Sequence, residues 1–178
     1  MPLENTQTTY RALRIDARLK PRHHYRTPLS AHSHSKLADA PSNEFLTSQN
    51  HRPSSSELDL RLQESCRNAV KNVDVVFHLA GTVGGIGFNK SNPADCFYDN
   101  IMMSTQLIHE AMKANIEKLI ALGTVCSYPK FANIPFSEEE IWEGYPEETN
   151  AAYGLSKKML LVQSDAYRQQ FGFNSISI

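Results

Sequence analysis

Residues 73–87 read VDVVFHLAGTVGGIG. The first eight, Val73–Ala80, form a β-branched apolar run flanked by turn residues, which predicts a strand buried on both faces. Gly81–Gly87 (GTVGGIG) predicts a glycine-rich loop, where backbone can come close to a ligand. Downstream, Asn92-Pro93 has the pattern of a helix N-cap followed by proline at the first helical position. Phe97, Ile101, Ile108 and Met112 then place an apolar stripe on a helix running to about Ala114. Lys118–Gly123 (KLIALG) predicts a second buried strand. Ser137 and Glu140 suggest a capping box on a short helix ending near Trp142. Ala152–Phe171 predicts a long amphipathic helix stopped by Gly172, and Asn174–Ile178 a further strand. Strand, helix, strand, helix, strand implies an α/β fold with a parallel sheet and crossover helices, one that stops mid-fold.

Upstream of this region the pattern fades. Residues 1–53 show neither a period of two nor of 3.6, and stretches such as HSHSK (32–36) cannot supply a core. The expectation is a disordered tail over 1–53 and one partial domain over 54–178. Residues 1–52 hold eight Lys/Arg against four Asp/Glu, yet that charge is dilute and interrupted, so nucleic acid is not an expected partner. No apolar run approaches the ~20 residues of a membrane span, and no signal-peptide core opens the chain. Cys66, Cys96 and Cys126 form no CxxC pair. This favours reduced thiols in a cytoplasmic protein over a disulfide framework or a metal site.

The chemistry concentrates in Tyr153 and Lys157. Four residues apart at the start of a helix, they share one face about one turn apart. An ammonium near a phenol favours the phenolate and lowers its pKa, which suits proton transfer. Thr124 ends the second strand, on the edge where parallel sheets hold ligands. A hydroxyl, a phenol and an ammonium would converge there on a carbonyl oxygen whose charge changes.

The segments DVVFHLAGTVGGI (74–86), NPADCFYDNIMMSTQLIHEA (92–111), LGTVCSYPK (122–130), PEETNAAYGLSKK (146–158) and YRQQFGFNSI (167–176) together resemble the extended short-chain dehydrogenase/reductases, the NAD-dependent epimerase/dehydratases. The resemblance covers about 56–178 and points most to the GDP-L-fucose synthase branch, the 3,5-epimerase/4-reductases of GDP-4-keto-6-deoxy-D-mannose. It implies a partial Rossmann-like, doubly wound parallel sheet and NADP or NAD as cofactor. Tyr153 would protonate the C4 oxygen of the sugar, and Lys157 would hold the nicotinamide ribose and lower the tyrosine pKa. Thr124 would hydrogen-bond the substrate carbonyl, and Cys126 would move protons at C3 and C5. Asp59 and Leu60 would contact the adenine, and Leu122, Gly123, Thr124 and Val125 would line the nicotinamide end. Val83, Gly84, Gly85 and Ile86 would lie near the sugar. Helices 93–114 and 152–171 would pair with a second subunit in a homodimer.

The same resemblance implies what to look for outside these segments. The family begins with a strand and a GxxGxxG turn that grips the pyrophosphate, whereas the first glycine here is Gly81. It also implies a substrate domain beyond residue 178. The expectation is therefore a chain truncated at both ends, with little or no activity alone. Two further readings stand beside it: a non-catalytic fragment that docks on a full-length relative, and another nucleotide-sugar epimerase or dehydratase of the same superfamily. His78 reads as a satisfied core histidine, and Asn100 as a structural hydrogen-bonding residue.

Overall fold

The Val75–His78 backbone finds hydrogen-bonding partners on both of its sides, and the rest of the sheet is built outward from it. In the computed structural model, which describes residues 12–16, 49–51 and 53–178, it is β3 of a sheet ordered β2-β1-β3-β4-β5. The strands are β1 (Ala12–Asp16), β2 (Gln49–His51), β3 (Val75–His78), β4 (Lys118–Ala121) and β5 (Ser175–Ser177). The helices are α1 (Gln63–Ala69), α2 (Gly85–Ser91), α3 (Pro93–Lys113) and α4 (Ala151–Phe171). Strands β3, β4 and β5 are parallel, with His78 opposite Ala121 and Ala121 opposite Ser177. The α/β reading with a parallel sheet and crossover helices matches this arrangement.

The expected tail over 1–53 lies mostly outside the described residues. Within it, β1 pairs antiparallel with β3, and β2 antiparallel with β1. Such pairing needs only backbone N–H and C=O groups, so a search for side-chain periodicity does not find it.

Burial along β3 and β4 alternates instead of covering both faces. Val76, His78, Leu119 and Ala121 are buried, while Val75, Phe77, Lys118 and Ile120 are half-buried. Helix packing explains the difference. Val76, Leu119 and Ala121 share one apolar cluster with Met103, Leu107, Ile108 and Ala111 of α3 and Leu160 of α4. Leu60, Cys66, Val70 and Phe173 close the same cluster.

Helix α1, which has no clear periodic signal, is fastened to α3 by charge. Buried Glu110 accepts from Gln63 Nε2 (2.8 Å), Arg67 Nε (3.1 Å) and Lys113 Nζ (3.3 Å). Burial works to raise its pKa, but these donors outweigh that and hold the carboxyl down at about 2.

Local signals fared unequally. Pro93 opens α3, and Gly172 ends α4 in the left-handed conformation at φ 65°. Asn92 occupies the cap position of α3, but its Nδ2 donates to the Phe88 carbonyl (3.0 Å) and the side chain caps nothing. Ser137 likewise does not build a capping box; its hydroxyl turns to Glu139, and the Glu140 N–H that a capping box needs goes to the Ser137 carbonyl (3.1 Å) in a 3₁₀ turn over 138–142. The loop expected over Gly81–Gly87 is helical from Gly85 onward.

Candidate active site

After β4 the chain leaves the sheet at Leu122 and Gly123, still bonded to it through Leu122 N–H to His78 O (3.1 Å) and Gly123 N–H to Ile178 O (2.7 Å). Thr124 is extended and its Oγ1 accepts the Cys126 N–H (3.2 Å), which folds Val125–Ser127 into a single 3₁₀ turn. Helix α4 rests on that turn. Ser127 Oγ donates to Gly154 O (2.9 Å), and a Cβ on residue 154 would stand 2.0 Å from Cys126 O. Glycine beside the tyrosine is therefore what permits the contact.

This contact brings Thr124, Cys126, Tyr153 and Lys157 to one edge of the sheet. The Thr124 hydroxyl lies near enough to the Tyr153 phenol to work against a rise in its pKa. One turn further along α4, Lys157 is only 3% exposed and its Nζ donates to Ala80 O (3.4 Å) at the end of β3. Burial lowers its pKa to about 8.

Tyr153 departs from the sequence expectation. Its phenol pKa is raised, first by burial; the Thr124 hydroxyl works against this, and the Cys126 and Cys96 thiols add to the rise. Lys157 does not lower it, because its ammonium turns to the Ala80 carbonyl. At neutral pH the phenol keeps its proton, the form in which it can donate one.

The expected nicotinamide-end residues Leu122 and Val125 are exposed at 43% and 68%. Val83 and Ile86, on the expected sugar side, are exposed as well, with Ile86 at 66%. Gly84 approaches its neighbours so closely that a Cβ there would stand 2.6 Å from the Phe88 ring, and Gly85 has φ 80°, where side chains are disfavoured. The two expected adenine contacts differ in their surroundings. Leu60 buries its side chain in the core, and its carbonyl accepts the Cys66 thiol (3.0 Å). The Asp59 carboxylate is held by Arg61, through Nε to Oδ1 (2.9 Å) and an Nη donor to Oδ2 (2.7 Å), and its pKa is lowered chiefly by that bond.

Sequence reading missed several supporting residues. Arg61 also reaches Asp99 Oδ1 (3.1 Å), and Asp99 Oδ2 accepts from Thr82 Oγ1 (3.0 Å), tying the Asp59 segment to the loop after β3. Asn100 has the expected structural role: its Oδ1 accepts the Thr82 N–H (3.0 Å) and its Nδ2 donates to Thr82 O (2.8 Å) and Cys96 O (2.6 Å). His78 is only half satisfied, with Nε2 on Ser104 Oγ (3.0 Å) and a buried Nδ1 without a protein partner. The available signal for Gly154 was its place inside a helical pattern, which marks close packing. No group of His, Cys, Asp and Glu among the described residues could hold a metal ion, and no described helix is long and apolar enough to cross a membrane.

The chain is similar to known proteins in sequence and in fold. The GDP-L-fucose synthase of Escherichia coli K12 is 38% identical over 104 residues, covering 58% of this chain and 32% of that protein. GDP-L-fucose synthase 1 of Arabidopsis thaliana is 38% identical over 125 residues, covering 68% of this chain and 38% of that one. The solved structure of a GDP-mannoheptose C4 reductase from Campylobacter jejuni with NADP bound superposes with a TM-score of 0.67 at 28% identity, over 70% of this chain and 40% of that one. The chain thus spans about a third of the length of the curated relatives it matches. A family model described as NAD dependent epimerase/dehydratase matches residues 21–178, most of the sequence, and with the Thr124–Tyr153–Lys157 arrangement at the sheet edge this chain belongs to that family.

Proposed function

We propose that this chain carries the proton-transfer half of a nucleotide-sugar epimerase/reductase site, with GDP-4-keto-6-deoxy-D-mannose as substrate. One observation carries the reading: a half-buried, protonated Tyr153 whose phenol feels the Thr124 hydroxyl, with a buried Lys157 one turn below it at the Ala80 carbonyl. Thr124 and Tyr153 orient the sugar C4 oxygen, and Tyr153 gives it a proton. Cys126, on the turn beneath α4, exchanges protons at C3 and C5.

Bound NADP or NAD supplies the hydride. The residues suit one end of such a cofactor: Lys157 has three donors and Ala80 O takes one, which leaves the others for ribose hydroxyls. Leu122 and Val125 offer exposed apolar surface to a nicotinamide. Backbone at Leu60 and the Asp59 carboxylate serve the adenine. The diphosphate is a different matter, because residues before Gly81 include no glycine and so no GxxGxxG turn.

A second reading is favoured by surface composition. Phe97 and Tyr98 on α3 and Met159 and Val162 on α4 are apolar or aromatic and exposed, which supports docking of these helices on a second copy or on a full-length relative.

Incubation with the keto-sugar in D₂O separates the steps. Deuterium should enter C3 and C5 without dinucleotide and be lost in Cys126→Ser, while reduction at C4 with NADPH should be lost in Tyr153→Phe. A folded parent chain showing neither exchange nor reduction, alone or mixed with a full-length relative, would sink the catalytic reading.

A further inference from the structure

Helix α2 has one buried residue, and it is polar. Asn89 is 3% exposed, while Ile86 on the same helix is 66% exposed. Phe88 is half-buried, and the fully buried hold of this helix on the body is the Asn89 amide. Its Oδ1 accepts the Gly84 N–H at 3.4 Å and the Cys96 thiol at 3.6 Å. Its Nδ2 donates to Asn150 Oδ1 at 2.9 Å, across 61 residues of sequence.

Asn150 stands just before α4 but does not cap it with its side chain. Its Nδ2 donates to Glu147 Oε2 (2.9 Å), and Glu147 is held in turn by the Thr149 N–H (3.1 Å) and Thr149 Oγ1 (2.5 Å). Its backbone carbonyl accepts the Gly154 N–H (2.8 Å), next to Tyr153. An unbroken line of hydrogen bonds thus runs from Gly84, through Asn89 and Asn150, to the first turn of α4.

We infer that Asn89 and Asn150 are positioning residues that couple the Val83–Ile86 loop to the helix turn bearing Tyr153. The inference rests on the proposed reading of that loop as sugar-side and of Tyr153 as proton donor. A buried amide is retained only when its partners are in place, so displacing α2 alone strips Asn89 Nδ2 of its acceptor and Asn150 Oδ1 of its donor, while Asn150 stays bound to Glu147. The cheaper response is for α2 and the first turn of α4 to move together. Occupancy of the loop is then transmitted to the environment of the phenol, with Glu147 and Thr149 as the fixed end of the line.

The test uses the full 178-residue chain with ¹³C-labelled tyrosine, the Tyr153 signal being assigned with Tyr153→Phe. Asn89→Leu and Asn150→Ala should each move the Tyr153 ionisation midpoint by about half a pH unit or more, a roughly threefold change in its acid constant. Each should also speed amide exchange about tenfold at both 84–88 and 151–154, as expected when a local opening becomes easier. Gln163→Ala, which removes a bond to Thr105 O elsewhere on α4, should do neither. If Asn89→Leu does not fold, Asn150→Ala is decided by exchange at 84–88. An unchanged Tyr153 midpoint with unchanged exchange across the gap overturns the coupling. Titration of the parent with GDP-mannose reads the other premise: lack of protection at 84–88, with the Tyr153 shift present, supports the coupling and removes only its sugar.

Discussion

A Cβ at residue 154 would stand 2.0 Å from the carbonyl oxygen of Cys126, so the helix bearing Tyr153 rests on the Thr124–Ser127 turn through a bare backbone contact. Two effects compete when Gly154 becomes alanine. Inside a helix the change should stabilise by about 1 kcal/mol. Here the obstructing atom is backbone and cannot rotate away, and overpacking costs about 1–3 kcal/mol or more. The clash wins. Gly154→Ala is expected to lower stability in urea unfolding, and to displace Cys126 from α4. A stabilised variant would show that the contact is not as close as described.

Lys157 is expected to oppose folding at neutral pH. Its pKa falls from 10.5 to about 8 because burial disfavours the charged form. Between those values the unfolded chain binds more protons than the folded one, so stability rises with pH across that window. Below about pH 8 the penalty is complete, on the order of 3 kcal/mol, and above about 10.5 it is gone. Lys157→Met should therefore be more stable than the parent at pH 7, and the gap should close toward pH 10.5. Equal stability at both ends of the range would refute this. A residue that destabilises the fold it belongs to fits a site under functional demand.

The same comparison shows where sequence reading stops. Strands β3, β4 and β5 and helices α3 and α4 were legible because apolar periodicity reports burial directly. The approach of Tyr153, Thr124, Cys126 and Lys157 followed from strand-end and helix-start positions meeting at one sheet edge. What escaped depends on geometry that no local pattern encodes. Arg61 occupies the Asp59 carboxylate, Lys157 turns to Ala80 O, and Asn89 reaches Asn150 across 61 residues. The phenol pKa rises because desolvation outweighs the opposing Thr124 hydroxyl, and the depth of burial is a tertiary quantity.

Glu110 gives an acid-side test of the α1–α3 clamp. A carboxyl held at about 2 against its ordinary 4.5 contributes stability that is fully present above about pH 4.5 and lost as pH falls through about 2. Glu110→Gln keeps the size but loses the charge-assisted bonds to Arg67 and Lys113, at an expected cost of about 1–3 kcal/mol at pH 7. Parent and variant should converge as the pH drops below 2. If the two unfold alike at pH 7, the clamp contributes nothing.

NADPH should bind this polypeptide weakly, although Tyr153 and Lys157 are in place. In the fold's usual cofactor site the diphosphate sits on backbone N–H groups of a glycine-rich turn at a helix N-terminus. This chain has no glycine before Gly81, and its residues offer a ribose contact at Lys157 and apolar surface at Leu122 and Val125. At the other end, adenine must compete with Arg61 for the Asp59 carboxylate. Each charge-assisted bond missing at the diphosphate removes roughly 1.5–3 kcal/mol, so two or three of them weaken binding by several powers of ten. A fluorescence titration should give a Kd above about 1 mM, lower affinity still in Lys157→Met, and little change in Tyr153→Phe. Low-micromolar binding that survives Lys157→Met would mean that other residues of this chain grip the diphosphate, and would overturn the assignment of the cofactor end.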